Sequence, residues 1–383
     1  MLFSNANVFF ADRGFLPASF RVEGGVFTAV LPPETAGEGA VDLGGARVIP
    51  GLIDLHTHGN SGADFSDGED DGLRTMAAFL ARNGVTGFLP TSMTLPYDSL
   101  RRALASAKRL RDEAPAGLSR VLGVHMEGPF LSEKKKGAQN ALRLRKPDLG
   151  TFRELNEGCG GLIRIVDLAP ELEGAAAFAR EASKACAVSA AHTDADYEQA
   201  AAFFKAGARH VTHLFNAMTP FAHRAPGVIG AAAERDDVTA ELICDGLHVH
   251  PSAVRMAFRL FPERICLISD ALRCCGMPDG DYTLSGQRVT LSGGTARLAD
   301  GTLAGSAVTL YDCLLRAVSF GVPEAEAIRA ATLNPARVLG CDDRFGSIAP
   351  GKEADFVVCG EGLRLREVYI GGVRVETPKN GRF

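Results

Sequence analysis

No stretch of this chain reaches the roughly 18 apolar residues that a bilayer-spanning helix requires, so no transmembrane segment is expected. The opening residues, MLFSNANVFFADRG, lack a basic segment and meet Asp12 too early for a secretory leader. Excess positive charge is missing too. With 41 Lys and Arg against 46 Asp and Glu, the formal net charge is −5, which gives no global reason to expect nucleic acid or an anionic membrane as partner. The nine cysteines are scattered, odd in number and free of CxxC spacing, which argues against a disulfide framework or a cysteine-rich zinc site. The adjacent Cys274 and Cys275 read as two thiols, and a reducing cytoplasm is the expected compartment. What is present is the composition of a globular protein: 46% hydrophobic and 23% charged residues over 383 positions, enough for a large barrel with a smaller appended unit.

The middle of the chain repeats one theme, an apolar β-branched run with a polar end followed by an amphipathic helical stretch. The runs are VIPGLIDL, GVTGFLPTS, RVLGVHME, LIRIVDLAP, AVSAAHT, HVTHLFN, TAELICDG and ICLISDA. Helical stretches such as Asp71 to Gly84, YDSLRRALASAKRLRDEA and DYEQAAAFFKAGA lie between most of them. Continuous apolar strands alternating with helices imply parallel βα units, and eight of them predict an α/β fold, the TIM (β/α)8 barrel, over residues 50–345. A doubly wound open sheet is the alternative, but no GxGxxG follows the first strand. Residues 1–49 and 346–383 read as short alternating strands with Gly turns, and together predict one small β-sandwich built from both termini. A β insertion is expected after the eighth strand, around 281–305.

Active sites of such barrels sit where strands end. Those positions hold His56 and His58 after strand one, Glu127 after strand three, His192 after strand five, His213 after strand six and Asp270 after strand eight. In GLIDLHTHGN, His56 and His58 are two apart, so along an extended strand both imidazoles face the same way, beside Asp54. Each residue alone has an ordinary alternative: a turn pair, a satisfied core histidine, a loop-capping carboxylate. Jointly, imidazoles with a carboxylate suit Zn²⁺ or Fe²⁺ and predict a mononuclear or binuclear hydrolytic metal site.

The pattern resembles the amidohydrolase superfamily and, within it, the N-acetylglucosamine-6-phosphate deacetylase family. The motifs that carry the resemblance are PGLIDLHTHG, GVHMEGPFL, AAHTDA, THLFNAM, RAPG, DGLHV, LISDA and LADGTLAGS, in order between residues 49 and 306. The resemblance implies a barrel with a terminal β-sandwich and removal of acetate from a 6-phosphorylated amino sugar. It implies Glu127, His192 and His213 as the ligands used throughout the family, with His56 and His58 as the pair that holds a second divalent ion in some members, Glu127 bridging. Strand four has no lysine, which argues against relatives that carboxylate a lysine there. Asp270 matches the catalytic aspartate.

The same resemblance assigns substrate contacts to Asn216, Ala217, Arg224 and His248 at the sugar phosphate, and to Leu303, Ala304 and Gly305 after the insertion. Ala138 and Gln139 fall in the loop after EGPF. Some members carry there a histidine that polarises the substrate carbonyl, which Gln139 replaces with a group that does not titrate near neutrality. Arg suits phosphate through its planar, permanently charged fork. In several members Arg and His from a neighbouring subunit complete the pocket, so the resemblance implies a homodimer with a shared phosphate site. The run Lys134 to Lys136 reads as a solvated loop that can draw an anion inward.

Overall fold

A computed structural model of the chain describes residues 1–35 and 37–376. Its centre is a parallel barrel: β1 (Leu52–Thr57), β2 (Val85–Ser92), β3 (Val124–Phe130), β4 (Ile163–Leu168), β5 (Ala187–Ala190), β6 (His210–Val211), β7 (Thr239–Ile243) and β8 (Ile265–Ile268). Neighbouring strands pair in register, as in Ile165 with Ala187 and Ile243 with Ile268. A parallel bridge from Thr57 to Ala271 and the bond from Asp270 N to His56 O, 2.9 Å, draw the eighth strand to the first. All residues of β1 and β2 are buried, the polar Asp54 and His56 included.

Each strand is followed by a helix: α1 (Asp70–Arg82), α2 (Tyr97–Glu113), α3 (Leu149–Gly158), α4 (Ala175–Ala182), α5 (Tyr197–Ala206), α6 (Gly227–Ala233), α7 (Pro251–Leu260) and α8 (Leu310–Ser319). The 3.6-residue period sets their inward faces. In α1, Leu73, Met76, Ala77, Leu80 and Ala81 are buried. Start signals are local: Asp196 caps α5 in a capping box with Gln199. The strands run shorter than their apolar stretches. HVTHLFN contributes only His210 and Val211 to β6, so His213 stands past the strand on the loop.

The terminal segments meet in one sheet, with Leu2–Phe10 at its centre, Arg47–Pro50 beside it, and Phe356–Cys359 and Leu365–Ile370 beyond. It curls until Val26 bridges Glu353. Inside lie Phe3, Phe20, Phe27, Phe356 and Tyr369; Phe356 stacks on Tyr369 at 4.5 Å and meets Phe20 edge-on at 5.1 Å. Arg47–Pro50 runs directly into β1 through Gly51, where a Cβ would lie 2.1 Å from Thr86 Oγ1, so the junction demands glycine. The insertion is a four-stranded antiparallel sheet, Gly280–Leu284, Gln287–Ser292, Thr295–Leu298 and Leu303–Gly305. Its first turn, Ser285–Gly286, has positive φ at both residues, the geometry of a two-residue hairpin. Gln287 donates to Ala138 O at 2.7 Å and ties the insertion to the loop after β3. All nine cysteines are free, and no helix among the described residues is long and apolar enough to cross a membrane.

Phe356 is fully buried in the aromatic cluster that joins the two ends of the chain. Phe356→Ala is expected to lower unfolding free energy by about 3–5 kcal/mol in denaturant titration. A loss below about 1 kcal/mol would mean that the cluster relaxes around the gap and contributes little.

Candidate metal centre

At the C-terminal mouth of the barrel the six strand-end residues converge. Glu127 Oε1 lies 3.1 Å from both His192 Nε2 and His213 Nε2 and 3.6 Å from His56 Nε2. Its other oxygen lies 3.4 Å from His58 Nε2. Asp270 Oδ1 stands 3.2 Å from His58 Nε2 and 3.5 Å from His56 Nε2. All six residues are buried. The backbone is bent to aim them: His192, His213 and Asp270 have φ of 43°, 31° and 48°, and Phe215 and Ala217 nearby are at 77° and 51°. Left-handed conformations of non-glycine residues cost of order 1–3 kcal/mol each and gather at functional sites. Here they turn side chains from the strand ends across the mouth.

The hydrogen bonds at the far side of each ring decide what faces the centre. His56 Nδ1 meets Glu241 Oε2 at 3.0 Å, His58 Nδ1 meets Thr91 O at 3.1 Å, and His192 Nδ1 meets Lys135 O at 2.8 Å. Carbonyls and carboxylates only accept, so each Nδ1 carries a hydrogen and each Nε2 is the nitrogen left facing the centre. Two such nitrogens lie 3.2 Å apart in the His56–His58 pair, and the Nε2 atoms of His192 and His213 lie 3.1 Å apart. Lone pairs at these separations repel unless positive charge sits between them. Burial opposes charge on His58, yet the Asp270 hydrogen bond and the Glu127 and Asp270 charges push its pKa up to about 9; Glu127 pushes His213 likewise to about 9. Burial also opposes the Glu127 charge, but His56 and the bonds from His192 and His213 hold its carboxyl well below the usual range. The cluster demands cations. His56, His58 and Glu127 form one potential ligand set, and Glu127, His192 and His213 another, each with its ligand atoms within 4.8 Å of one another. Nitrogen and carboxylate oxygen donors of this kind fit a divalent transition ion.

Beneath this layer lies a second, wholly buried one. Glu241 accepts from His56, sits 3.2 Å from His210 Nε2 and receives the His213 backbone N–H at 3.3 Å. Burial works against its charge, and the surrounding imidazoles hold it well below the usual range. His125 contacts Leu55 O and Asp167 Oδ1, both at 3.0 Å. Both partners accept, so both ring nitrogens donate and His125 is an imidazolium; its pKa is pushed up to about 10 against burial, chiefly by Asp167. That removes it as a ligand, although His56, His125 and Glu241 also lie close together. Asp54 accepts from Ser269 Oγ at 2.6 Å and joins β1 to the end of β8; burial raises its pKa to about 7. Glu241 and Asp167 were not singled out in the sequence. Their signal is an acid inside an apolar run, TAELICDG and LIRIVDLAP.

A cavity of about 530 Å³ opens above the cluster. Ala138, Gln139, Asn216, Ala217, His248, Leu303, Ala304 and Gly305 all line it, as do Lys134, Lys135 and a residue absent from the sequence expectations, Arg297 of the insertion. Gln139 is buried, donates to Glu127 Oε2 at 2.6 Å and accepts from Thr94 N at 2.8 Å, so its amide is already engaged with the cluster. His248 Nδ1 contacts Asp245 Oδ2 at 2.6 Å. Lys134 pairs with Asp194 at 2.9 Å. Arg224 is placed elsewhere: it is exposed and lines a second hollow with Asp194, Asp196 and Glu198, outside the cavity of its own chain.

Residues 47–375 match the amidohydrolase family. The chain is 40% identical to the N-acetylglucosamine-6-phosphate deacetylase of Bacillus subtilis (strain 168) over 81% of this chain and 80% of that protein. It is 38% identical to the N-acetylgalactosamine-6-phosphate deacetylase of Escherichia coli O157:H7 over 92% of this chain and 93% of that one. Among solved structures, a mutant N-acetyl-D-glucosamine-6-phosphate deacetylase from Mycobacterium smegmatis, in complex with N-acetyl-D-glucosamine-6-phosphate, superposes with a TM-score of 0.92 at 34% identity, covering 98% of this chain and 99% of that one.

The two ligand sets predict separable losses. His192→Ala is expected to abolish the tightly held ion, whereas the combined His56→Ala and His58→Ala variant lowers metal content by up to one ion per chain, read by elemental analysis of purified protein. A fully loaded double variant would make the pair structural.

Proposed function

The chain belongs to the amidohydrolase family, and we propose that it hydrolyses the acetamide of N-acetylglucosamine 6-phosphate, giving glucosamine 6-phosphate and acetate, in amino-sugar catabolism or recycling. The observation that carries this reading is the convergence of four imidazole Nε2 atoms and two carboxylates at the floor of a cavity lined by Asn216, Ala217 and His248. The family is metal-dependent. Zn²⁺ or Fe²⁺ suits the donors; Glu127, His192 and His213 would hold one ion, and His56 and His58, with Glu127 beside them, would hold a second. When bound, such an ion supplies Lewis acidity that polarises the amide carbonyl and makes water nucleophilic near neutral pH.

The protein's own groups do the rest. Asp270, beside His56 and His58, takes a proton from the attacking water as the C–O bond forms, and returns it to the amine nitrogen as the C–N bond breaks. The bonds from Gln139 and the His pairs hold Glu127 between the two ligand sets. Asn216, the Ala217 backbone and His248 receive the sugar phosphate, with the His248 ring held at Nδ1 by Asp245. Leu303, Ala304 and Gly305 close over the sugar, and Ala138 lines the same cavity. Because Arg224 lies outside the cavity of its own chain, it fits a homodimer in which Arg224 from one protomer reaches the phosphate held by its partner. The enzyme is read as cytoplasmic, and no nucleic acid or membrane enters its work.

Acetate release from N-acetylglucosamine and N-acetylgalactosamine, each with and without the 6-phosphate, tests the assignment. Activity confined to the phosphorylated sugars is expected, and their ratio sets the preference between them; indifference to phosphate would overturn the assignment. Arg224→Ala should raise KM by about 10- to 150-fold with little change in kcat, the cost of a charge-assisted hydrogen bond. An unchanged KM removes Arg224 from the site. Asp270→Asn keeps the side-chain shape but cannot accept the proton, so kcat and kcat/KM should fall together by at least about 100-fold while metal stays bound. Near-normal turnover would mean that the proton travels through another group.

A further inference from the structure

The four imidazoles of the centre are supported in different ways. Backbone carbonyls hold His58 and His192 at Nδ1, and His213 Nδ1 is buried without a partner. Only His56 leans on a carboxylate, Glu241, at 3.0 Å. The same Glu241 oxygen stands 3.3 Å from the backbone N–H of His213, so one side chain touches a residue of each ligand set. Its other oxygen faces His210 Nε2 at 3.2 Å. The His210 ring is itself held: its Nε2 donates to the Glu241 carboxylate, which can only accept, and its Nδ1 meets Thr239 Oγ1 at 2.6 Å. Glu241 thus lies between two rings whose orientations are set, at zero exposure, with no room to turn.

We infer that Glu241 is a positioning residue: by accepting the Nδ1 hydrogen of His56 it fixes which nitrogen of that ring faces the metal centre, and by holding the His213 backbone it ties the two ligand sets together. The inference rests on the reading of His56 and His58 as ligands of a second ion. A carboxylate behind a ligating imidazole orients the ring and raises its basicity, and losing such a partner typically costs about 10- to 100-fold in metal affinity. An amide in its place, as in E241Q, keeps the shape and one accepting oxygen while removing the charge.

The test uses zinc-loaded protein labelled with ¹⁵N-histidine, together with chelator competition for each ion. The ring-proton signal that disappears in His56→Ala should belong to Nδ1 and move in E241Q. The ion that the His56→Ala and His58→Ala double variant loses should bind about 10- to 100-fold more weakly in E241Q, and the other ion, which Glu241 reaches only through the His213 backbone, should be weakened less. A His56 proton on Nε2, or unchanged affinity for both ions in folded E241Q, overturns the inference. If E241Q does not fold, the His56 proton in the parent protein decides. If the parent takes up a single ion in excess zinc, the two-ion reading fails, and the position of the His56 proton still decides whether Glu241 sets that ring.

Discussion

The structure turns on one constraint: the Glu127 carboxylate is buried between two histidine pairs whose Nε2 atoms point at it. Neither pair is stable there alone, because nitrogens 3.1–3.2 Å apart repel unless positive charge lies between them. The protein meets this from behind, with a carboxylate at His56 and carbonyls at His58 and His192, so that in each of these rings Nε2 is turned to the centre. Preorganisation of this kind is what a metal-ligand set requires.

The cost is placed where the barrel can bear it. Three of the six residues at the mouth have left-handed backbones, which an unsupported loop would relax. Beneath them, Asp54 with Ser269, and His125 with Asp167, fasten neighbouring strands to one another. This lower layer contains buried charge, but each charge is met by a partner or a hydrogen bond, the condition under which buried ionic groups persist. The terminal sheet adds a separate aromatic core and enters the barrel directly through Gly51.

Chemistry and recognition come from different parts of the chain. The strand ends supply the cluster; the loops after β3, β6 and β7 and the insertion after β8 supply the cavity wall. Gln139 belongs to both, since it lines the cavity while its amide holds Glu127. Arg297 at the wall and Arg224 on the outside are both exposed cations, yet only the structure separates the one that faces the cavity of its own chain from the one that does not.

The barrel, the terminal sheet and the insertion were legible in the sequence, and so were the six polar strand ends that the fold brings together. Strand periodicity, helix signals and polar strand ends are local properties, readable within about ten residues. His56 and His58 share a face because they are two apart on a strand, whatever the rest of the chain does. The tertiary structure alone decided the partners. Glu241 was legible only as an acid inside an apolar run, because its meaning depends on His56, 185 positions away. Gln139 was read as a group for substrate and is found holding Glu127, and Arg224 was read at the phosphate and lies outside its own chain's cavity. Hydrogen-bond satisfaction in a buried interior is settled between residues remote in sequence, and no local pattern records it.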